Sequence, residues 1–298
     1  MKNKKSTLVF HHNDADGRMS ATIIKTVHPD AEMVEIKYGY NEDYFIWKYG
    51  GKCYDFIFVV DFSLTPEHME LLQQLAIKKF VWVDHHKSAK EKLPELWASD
   101  KIGGLRDLNK SGCRLTWEWF NPHKKAPYAV LLVEDYDLWK FKYGDETKQF
   151  AEAVQYWNAN DFYHLLTSDI ADSLIWNTYI YDIIDDGEIL LEHKMKRIEK
   201  QLEKVKMMRF EDYNCGIINS TTDISMLGNE MLEKIQDCEI ALICQVKFDK
   251  PSPYVVISMR SKEPIDVSVI AKKYGGGGHA GSAGFEMSMK DFIKRYEK

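Results

Sequence analysis

Four short stretches hold the side chains best suited to chemistry. The first, His12-Asn-Asp-Ala-Asp-Gly17, sets Asp14 and Asp16 one residue apart in a turn that enters a helix over 18–27. The others are Asp61 in Asp-Phe-Ser63, the triplet Asp84-His-His86, and Glu134-Asp-Tyr-Asp137. Each has an ordinary reading in isolation. Two carboxylates as close as Asp14 and Asp16 repel when ionised and usually sit in a solvated turn. Asp61 would be a helix cap ahead of Pro66, and Asp137 a surface turn. Together they read differently. A pair of hard divalent cations needs several carboxylates to offset its charge, one of them bridging, and some nitrogen donors. Asp14, Asp16, Asp61, His85 and Asp137, with His12 nearby, supply that set. Mixed carboxylate and imidazole ligation suits Mn²⁺, Mg²⁺ or Co²⁺ better than a thiolate-preferring ion. Two such ions about 3.5–4 Å apart can hold a hydroxide and neutralise a phosphoryl centre during in-line displacement.

The elements that must position these groups come just before them. Leu8-Val-Phe10, Phe56-Ile-Phe-Val-Val60, Phe80-Val-Trp-Val83 and Val130-Leu-Leu-Val133 are unbroken apolar runs. Such runs suit strands buried on both faces of a parallel α/β sheet. In open α/β sheets the ligand site lies at the carboxyl ends of the strands. The pattern therefore predicts four strands whose tips bring Asp and His side chains to one place.

Composition divides the chain. All eight Trp lie between Trp47 and Trp176, and six of the 17 Gly lie between Gly275 and Gly284. Between these regions, Met195, Ile198, Leu202 and Val205 recur at helical spacing. The expected organisation is a domain over 1–185, a connecting helix over 186–210 starting near Gly187, and a smaller α/β domain over 211–298. In the latter, Cys215–Ile218, Glu239–Cys244 and Tyr254–Ser258 read as strands, and 226–235 and 267–274 as helices.

Charge and cysteine content set the outer limits. With 40 Lys+Arg against 46 Asp+Glu, the formal charge is −6, which argues against a stable complex with duplex DNA. No apolar stretch approaches the roughly 20 residues of a membrane span. The basic start, Met1-Lys-Asn-Lys-Lys-Ser, leads into an apolar run too short for a signal peptide. Five scattered cysteines, none in a Cys-x-x-Cys pair, argue against a disulfide scaffold and for a reducing, cytoplasmic location.

In order and type, these motifs resemble those of the DHH phosphoesterase family: His12-Asn-Asp-Ala-Asp-Gly17, the lone Asp61 after an apolar run, Asp84-His-His86, and Asp137 in Asp-Leu-Trp. Gly275-Gly-Gly-Gly-His279, with Arg260 upstream, resembles the family's associated nucleotide-gripping domain. The resemblance implies a manganese-dependent phosphodiesterase or phosphatase, of the kind represented by nanoRNases, single-strand-specific exonucleases and cyclic-dinucleotide hydrolases. It implies that Asp14 and Asp16 ligate two Mn²⁺ ions, that Asp61 bridges them, and that His85 and Asp137 complete the second. His86 would face a phosphate oxygen, and Asp84 would orient a neighbouring imidazole. The catalytic set is then Asp84, His85 and His86. His12 stands two residues before Asp14, unlike the His-x-x-x-Asp-x-Asp form whose histidine is a ligand, so its role stays open. Asp135 competes with Asp137 for the fourth motif, and the Asp-Leu-Trp form favours Asp137.

Four consecutive glycines alone would read as a hinge. Beside His279 and the small residues that follow, backbone N–H groups of Gly276, Gly277 and Gly278 could cradle a phosphate, more so at a helix start. Arg260 could hold the same group bidentately. The resemblance favours this reading, with a short single-stranded RNA or DNA, or a small and even cyclic nucleotide, clamped in an interdomain cleft. Pyrophosphate, polyphosphate and bisphosphonucleosides are the rival substrates, and a non-catalytic nucleotide-binding protein is the rival class. A homodimer stays open. Ser111 and Arg114 could approach the substrate, and Trp117 and Trp119 read as core.

Overall fold

The computed structural model describes residues 7–167 and 174–296. The reading of the basic start rests on residues 1–6, which lie outside the described residues. The chain divides into two compact units, Met1–Leu191 and Glu192–Lys298.

The first unit opens with β1 (Thr7–His12), α1 (Ala15–Val27), β2 (Glu32–Ile36), α2 (Glu42–Tyr49), β3 (Tyr54–Val60), α3 (Pro66–Leu75) and β4 (Ala76–Val83). The helices α4 (Lys87–Lys92), α5 (Pro94–Trp97), α6 (Gly112–Phe120), α7 (Tyr128–Asp137), α8 (Asp145–Val154) and α9 (His164–Thr167) follow. The strands form one sheet in the order β2-β1-β3-β4, all parallel. Alternation along the strands fills two cores. Leu8, Phe10, Ile57, Val59, Phe80 and Trp82 face Phe45, Met69 and Leu72 of α2 and α3. Val9, Phe58, Val60, Val81 and Val83 face Ala21 and Ile24 of α1 and Leu115 of α6. Both faces being covered explains why the strands are continuous apolar runs. Each such side chain contributes about 1.5–3 kcal/mol on burial.

The strand order has a consequence for function. The chain passes from β1 outward to β2, then returns to the other side of β1 to form β3. The carboxyl ends of β1 and β3 therefore flank a topological switch point, where such sheets bind ligands.

One predicted strand is a helix. Val130–Val133 lies inside α7, whose Ala129, Val130, Leu132 and Val133 are buried with Met19, Ile23 and Phe150. A short, wholly apolar run does not distinguish a buried strand from a buried helix. Asp137 consequently arrives at a helix carboxyl end rather than a strand tip.

The connecting helix also has different limits. The helix α10 (Leu174–Leu202) begins earlier, and residues 206–210 are already a strand. Gly187 lies within α10, where a Cβ would come 1.9 Å from the Gln149 carbonyl oxygen. It marks a close crossing of α8, not a helix start.

The second unit comprises β5 (Lys206–Phe210), β6 (Tyr213–Asn219), α11 (Ile224–Lys234), β7 (Ile240–Lys247) and β8 (Tyr254–Ser261). It ends with α12 (Val267–Lys273), β9 (Gly277–His279), β10 (Ser282–Ser288) and α13 (Met289–Tyr296). Its sheet runs β5-β6-β7-β8-β10-β9, with only β6 and β7 parallel. Leu242, Ile257, Met259 and Phe285 pack on Val267 and Ile270 of α12. Among the described residues no helix is long and apolar enough to cross a membrane.

Candidate metal centre

The end of β1 and the start of α1 place the first carboxylates. Asp14 caps α1, accepting from the Gly17 N–H at 2.9 Å, while its other oxygen bonds His12 Nδ1. Burial pushes the Asp14 carboxyl up, but the bond to His12 and the charge of that imidazole outweigh it and bring it down to about 2. Asp16, in the first turn of α1 and buried, points across to α6. Its oxygens accept from the N–H groups of Gly112 at 2.6 Å and Cys113 at 2.8 Å. A helix amino terminus is a natural seat for an anion. Ser111, the N-cap, fixes that terminus by accepting from the Arg114 N–H.

Asp61 follows β3 in the left-handed region, at φ 53°, with its N–H bonded to the Val83 carbonyl. The expected capping role falls instead to Thr65, whose hydroxyl accepts from the His68 N–H. A non-glycine residue there is strained by roughly 1–2 kcal/mol. Glycine at position 112 makes room for it, since a Cβ there would stand 2.5 Å from Asp61 Cβ.

After β4, Asp84 is fully buried. Its Oδ1 accepts from the N–H groups of His85 and His86 and lies 2.8 Å from His86 Nδ1. This aims His85 Nε2 inward, 3.1 Å from Asp61, 3.5 Å from Asp137 and 3.7 Å from Asp16. Asp135 faces elsewhere. It is buried and accepts from Lys142 N–H, Tyr143 N–H and the Thr147 hydroxyl, pinning the turn after α7.

The electrostatics describe a surplus of negative charge. Burial, followed by the carboxylates of Asp16, Asp14, Asp137 and Asp84, pushes Asp61 well above the ordinary range. Burial and the same Asp16 and Asp14 raise Asp137. His85 is lowered by burial. For His86, burial works downward, but the bond to Asp84 prevails and the imidazole is raised. Both Asp61 oxygens and His85 Nε2 are buried without a hydrogen-bond partner. Native proteins seldom leave such groups unsatisfied, so these orphaned atoms call for an ion. Among the described residues, three sets of donors each lie within 4.8 Å of one another: His12, Asp14 and Asp61; Asp16, His85 and Asp137; and Asp61, His85 and His86. Asp61 belongs to two of them. The residues thus fit a pair of hard cations sharing Asp61, with all six expected ligands brought together.

The remaining expected residues lie in the second unit. Arg260 on β8 pairs with Ser282 on β10, which pairs with His279 on β9, so the three form one row across the sheet. The Arg260 guanidinium donates to the Ser225 hydroxyl and the Met259 carbonyl. The glycines do not begin a helix. They follow α12 and lead into β9, with Gly278 at φ 142° where a Cβ would strike Ala283. Any phosphate cradle there is built from a turn and a strand edge, not a helix dipole.

Two parts of the centre were not anticipated: the N–H groups of α6 that hold Asp16, and the aromatic flank of Tyr38 and Phe62. The signal for the first was Ser111 as an N-cap residue. For the second it was Phe62, adjacent to Asp61.

The DHHA1 domain model matches residues 213–298. The oligoribonuclease NrnB of Bacillus subtilis strain 168 is 27% identical over 300 residues, covering 93% of this chain and 71% of that protein. An uncharacterized protein of Acanthamoeba polyphaga mimivirus is 29% identical over 220 residues, covering 70% of this chain. The chain spans about half the length of that viral relative, 48%. Among solved structures, exonuclease RecJ bound to manganese aligns over 100% of this chain and 89% of its own, with a TM-score of 0.55 at 14% identity.

Proposed function

With membership of the DHH phosphoesterase family as premise, we propose that this chain is a Mn²⁺-dependent phosphodiesterase that hydrolyses short single-stranded oligonucleotides. One observation carries the reading: Asp61, buried with both oxygens unpartnered, is common to two adjoining donor sets. His12, Asp14 and Asp61 would hold one cation, and Asp16, Asp61, His85 and Asp137 the other. When bound, such a pair supplies Lewis acidity at the phosphoryl oxygens and acidifies a water molecule. The α6 amino terminus keeps Asp16 aimed. Asp84 keeps the His86 imidazole oriented and raises it, and that ring would face a phosphate oxygen. In the second unit, the row Arg260–Ser282–His279 and the Gly276–Gly278 backbone would hold the nucleotide's phosphate.

A likeness to an oligoribonuclease along most of the chain favours a short RNA over pyrophosphate. The test is cleavage of RNAs of graded length, cyclic dinucleotides and pyrophosphate by the Mn²⁺-loaded protein, with metal counted by mass spectrometry. Two Mn²⁺ per chain and fastest turnover of the shortest RNAs are expected. Faster release of phosphate from pyrophosphate, or no metal uptake, would overturn the proposal.

A further inference from the structure

We propose that Tyr38 is a stacking platform for the substrate's nucleobase beside the metal centre, which rests on the phosphodiesterase reading above and adds to it a base-binding residue. Tyr38 lies just past the carboxyl end of β2, the edge strand neighbouring β1. Its ring centroid is 4.5 Å from that of Phe62, 5.7 Å from His12 and 6.3 Å from His86. Phe62 is fully buried and backs the tyrosine, whereas Tyr38 itself is 46% exposed.

Phe62 and His12 lie against part of the ring, and close to half of the residue's surface stays open. The segment is also held from behind. Two residues on, Tyr40 packs the other way, its hydroxyl 2.6 Å from His68 Nδ1 and accepting from the Thr65 N–H. This ties the turn at Tyr38–Gly39 to the start of α3 and fixes the platform before any ligand arrives.

A flat, rigid, half-open aromatic face is what an unstacked base binds, because every base has a π-face. A phosphodiester at Asp61 and His86 carries a base within one nucleotide's reach of this ring. Stacking of this kind tolerates any sequence, so little preference among the four bases is expected.

The test uses the full-length Mn²⁺ protein with two substrates, a diribonucleotide and the same backbone lacking both bases. Tyr38→Ala should raise KM for the diribonucleotide roughly 5- to 140-fold, the range that loss of one base–aromatic stack implies. KM for the base-free analogue should rise far less, and kcat for the diribonucleotide should move little. Tyr38→Phe, which keeps the ring and loses only the hydroxyl, should restore near wild-type KM. Equal loss on both substrates, or no loss on either, overturns the platform while leaving the phosphodiesterase intact. Wild-type protein that cleaves neither substrate overturns both.

Discussion

A buried carboxylate surrounded by other carboxylates and lacking a cation destabilises a folded protein, and Asp61 is in that position with Asp14, Asp16, Asp84 and Asp137 around it. The sign of the effect follows from its raised folded pKa. Such a group contributes stability at low pH, where it is protonated in both states, and that contribution is lost as pH rises through the raised value. Metal-free protein should therefore lose stability as pH rises above the ordinary carboxylate value near 3.8, and Mn²⁺ should restore it. Asp14 acts in the opposite sense. Its lowered value supplies stability above 3.8 that is lost as pH falls toward about 2. Asp61→Asn removes the charge while keeping the shape. It should stabilise the metal-free protein at pH 7 by about 1–3 kcal/mol and abolish both turnover and the Mn²⁺-induced rise in Tm. Thermal melts in chelator and in Mn²⁺ across pH 4–8 check this. A metal-free Asp61→Asn protein less stable than wild type would contradict the charge-surplus account.

At the level of elements, the amino terminus of α6 is a working part of the centre. Its N–H groups hold Asp16 and its glycine clears Asp61. Loss of the Ser111 cap should cost about 1 kcal/mol of stability. Because Asp16 is aimed by the same turn, Mn²⁺ affinity should fall about 10- to 100-fold, as with other residues that orient metal ligands. Ser111→Ala and Ser111→Asp, compared by thermal denaturation and Mn²⁺ titration, separate the effects. The aspartate should recover the cap. The same helices mark the limit of what the sequence discloses. Strands β1, β3 and β4 were legible because burial on both faces leaves an uninterrupted apolar run ending in a charged residue. Strand β2, with half-buried Glu32–Val34, carries no such run, and Tyr38 at its end went unseen. Val130–Val133 misled because four apolar residues fit either period. The candidate ligands at the strand tips stand out because carboxylates after apolar strands are chemically conspicuous. The α6 contacts are backbone N–H groups, and Ser111 announces the helix start but not the carboxylate it receives.

For the molecule as a whole, the formal charge of −6 works against polyanion binding, so under the proposed function affinity for a nucleotide would have to come from the metal pair and a few local cations. Arg260 is one such cation. Burial lowers its guanidinium, and its hydrogen bonds go to a hydroxyl and a carbonyl rather than to a carboxylate. A partly desolvated arginine of that kind is held ready for an anion. If it grips one substrate phosphate, Arg260→Ala should raise KM for a short RNA by at least tenfold while leaving Mn²⁺ stoichiometry unchanged. It should also make the salt dependence shallower, because one fewer phosphate is neutralised. For single strands the slope of log affinity against log salt changes by about 0.7 per phosphate contact. Arg260→Lys keeps the charge but not the planar fork, so it should retain the slope and lose much of the affinity. Binding isotherms of the Mn²⁺-loaded protein at several salt concentrations, with a short RNA analogue whose linkages resist hydrolysis, read the slope directly. An unchanged slope in Arg260→Ala would assign this residue to the packing of β8 against α11, where Gly228 already abuts its side chain.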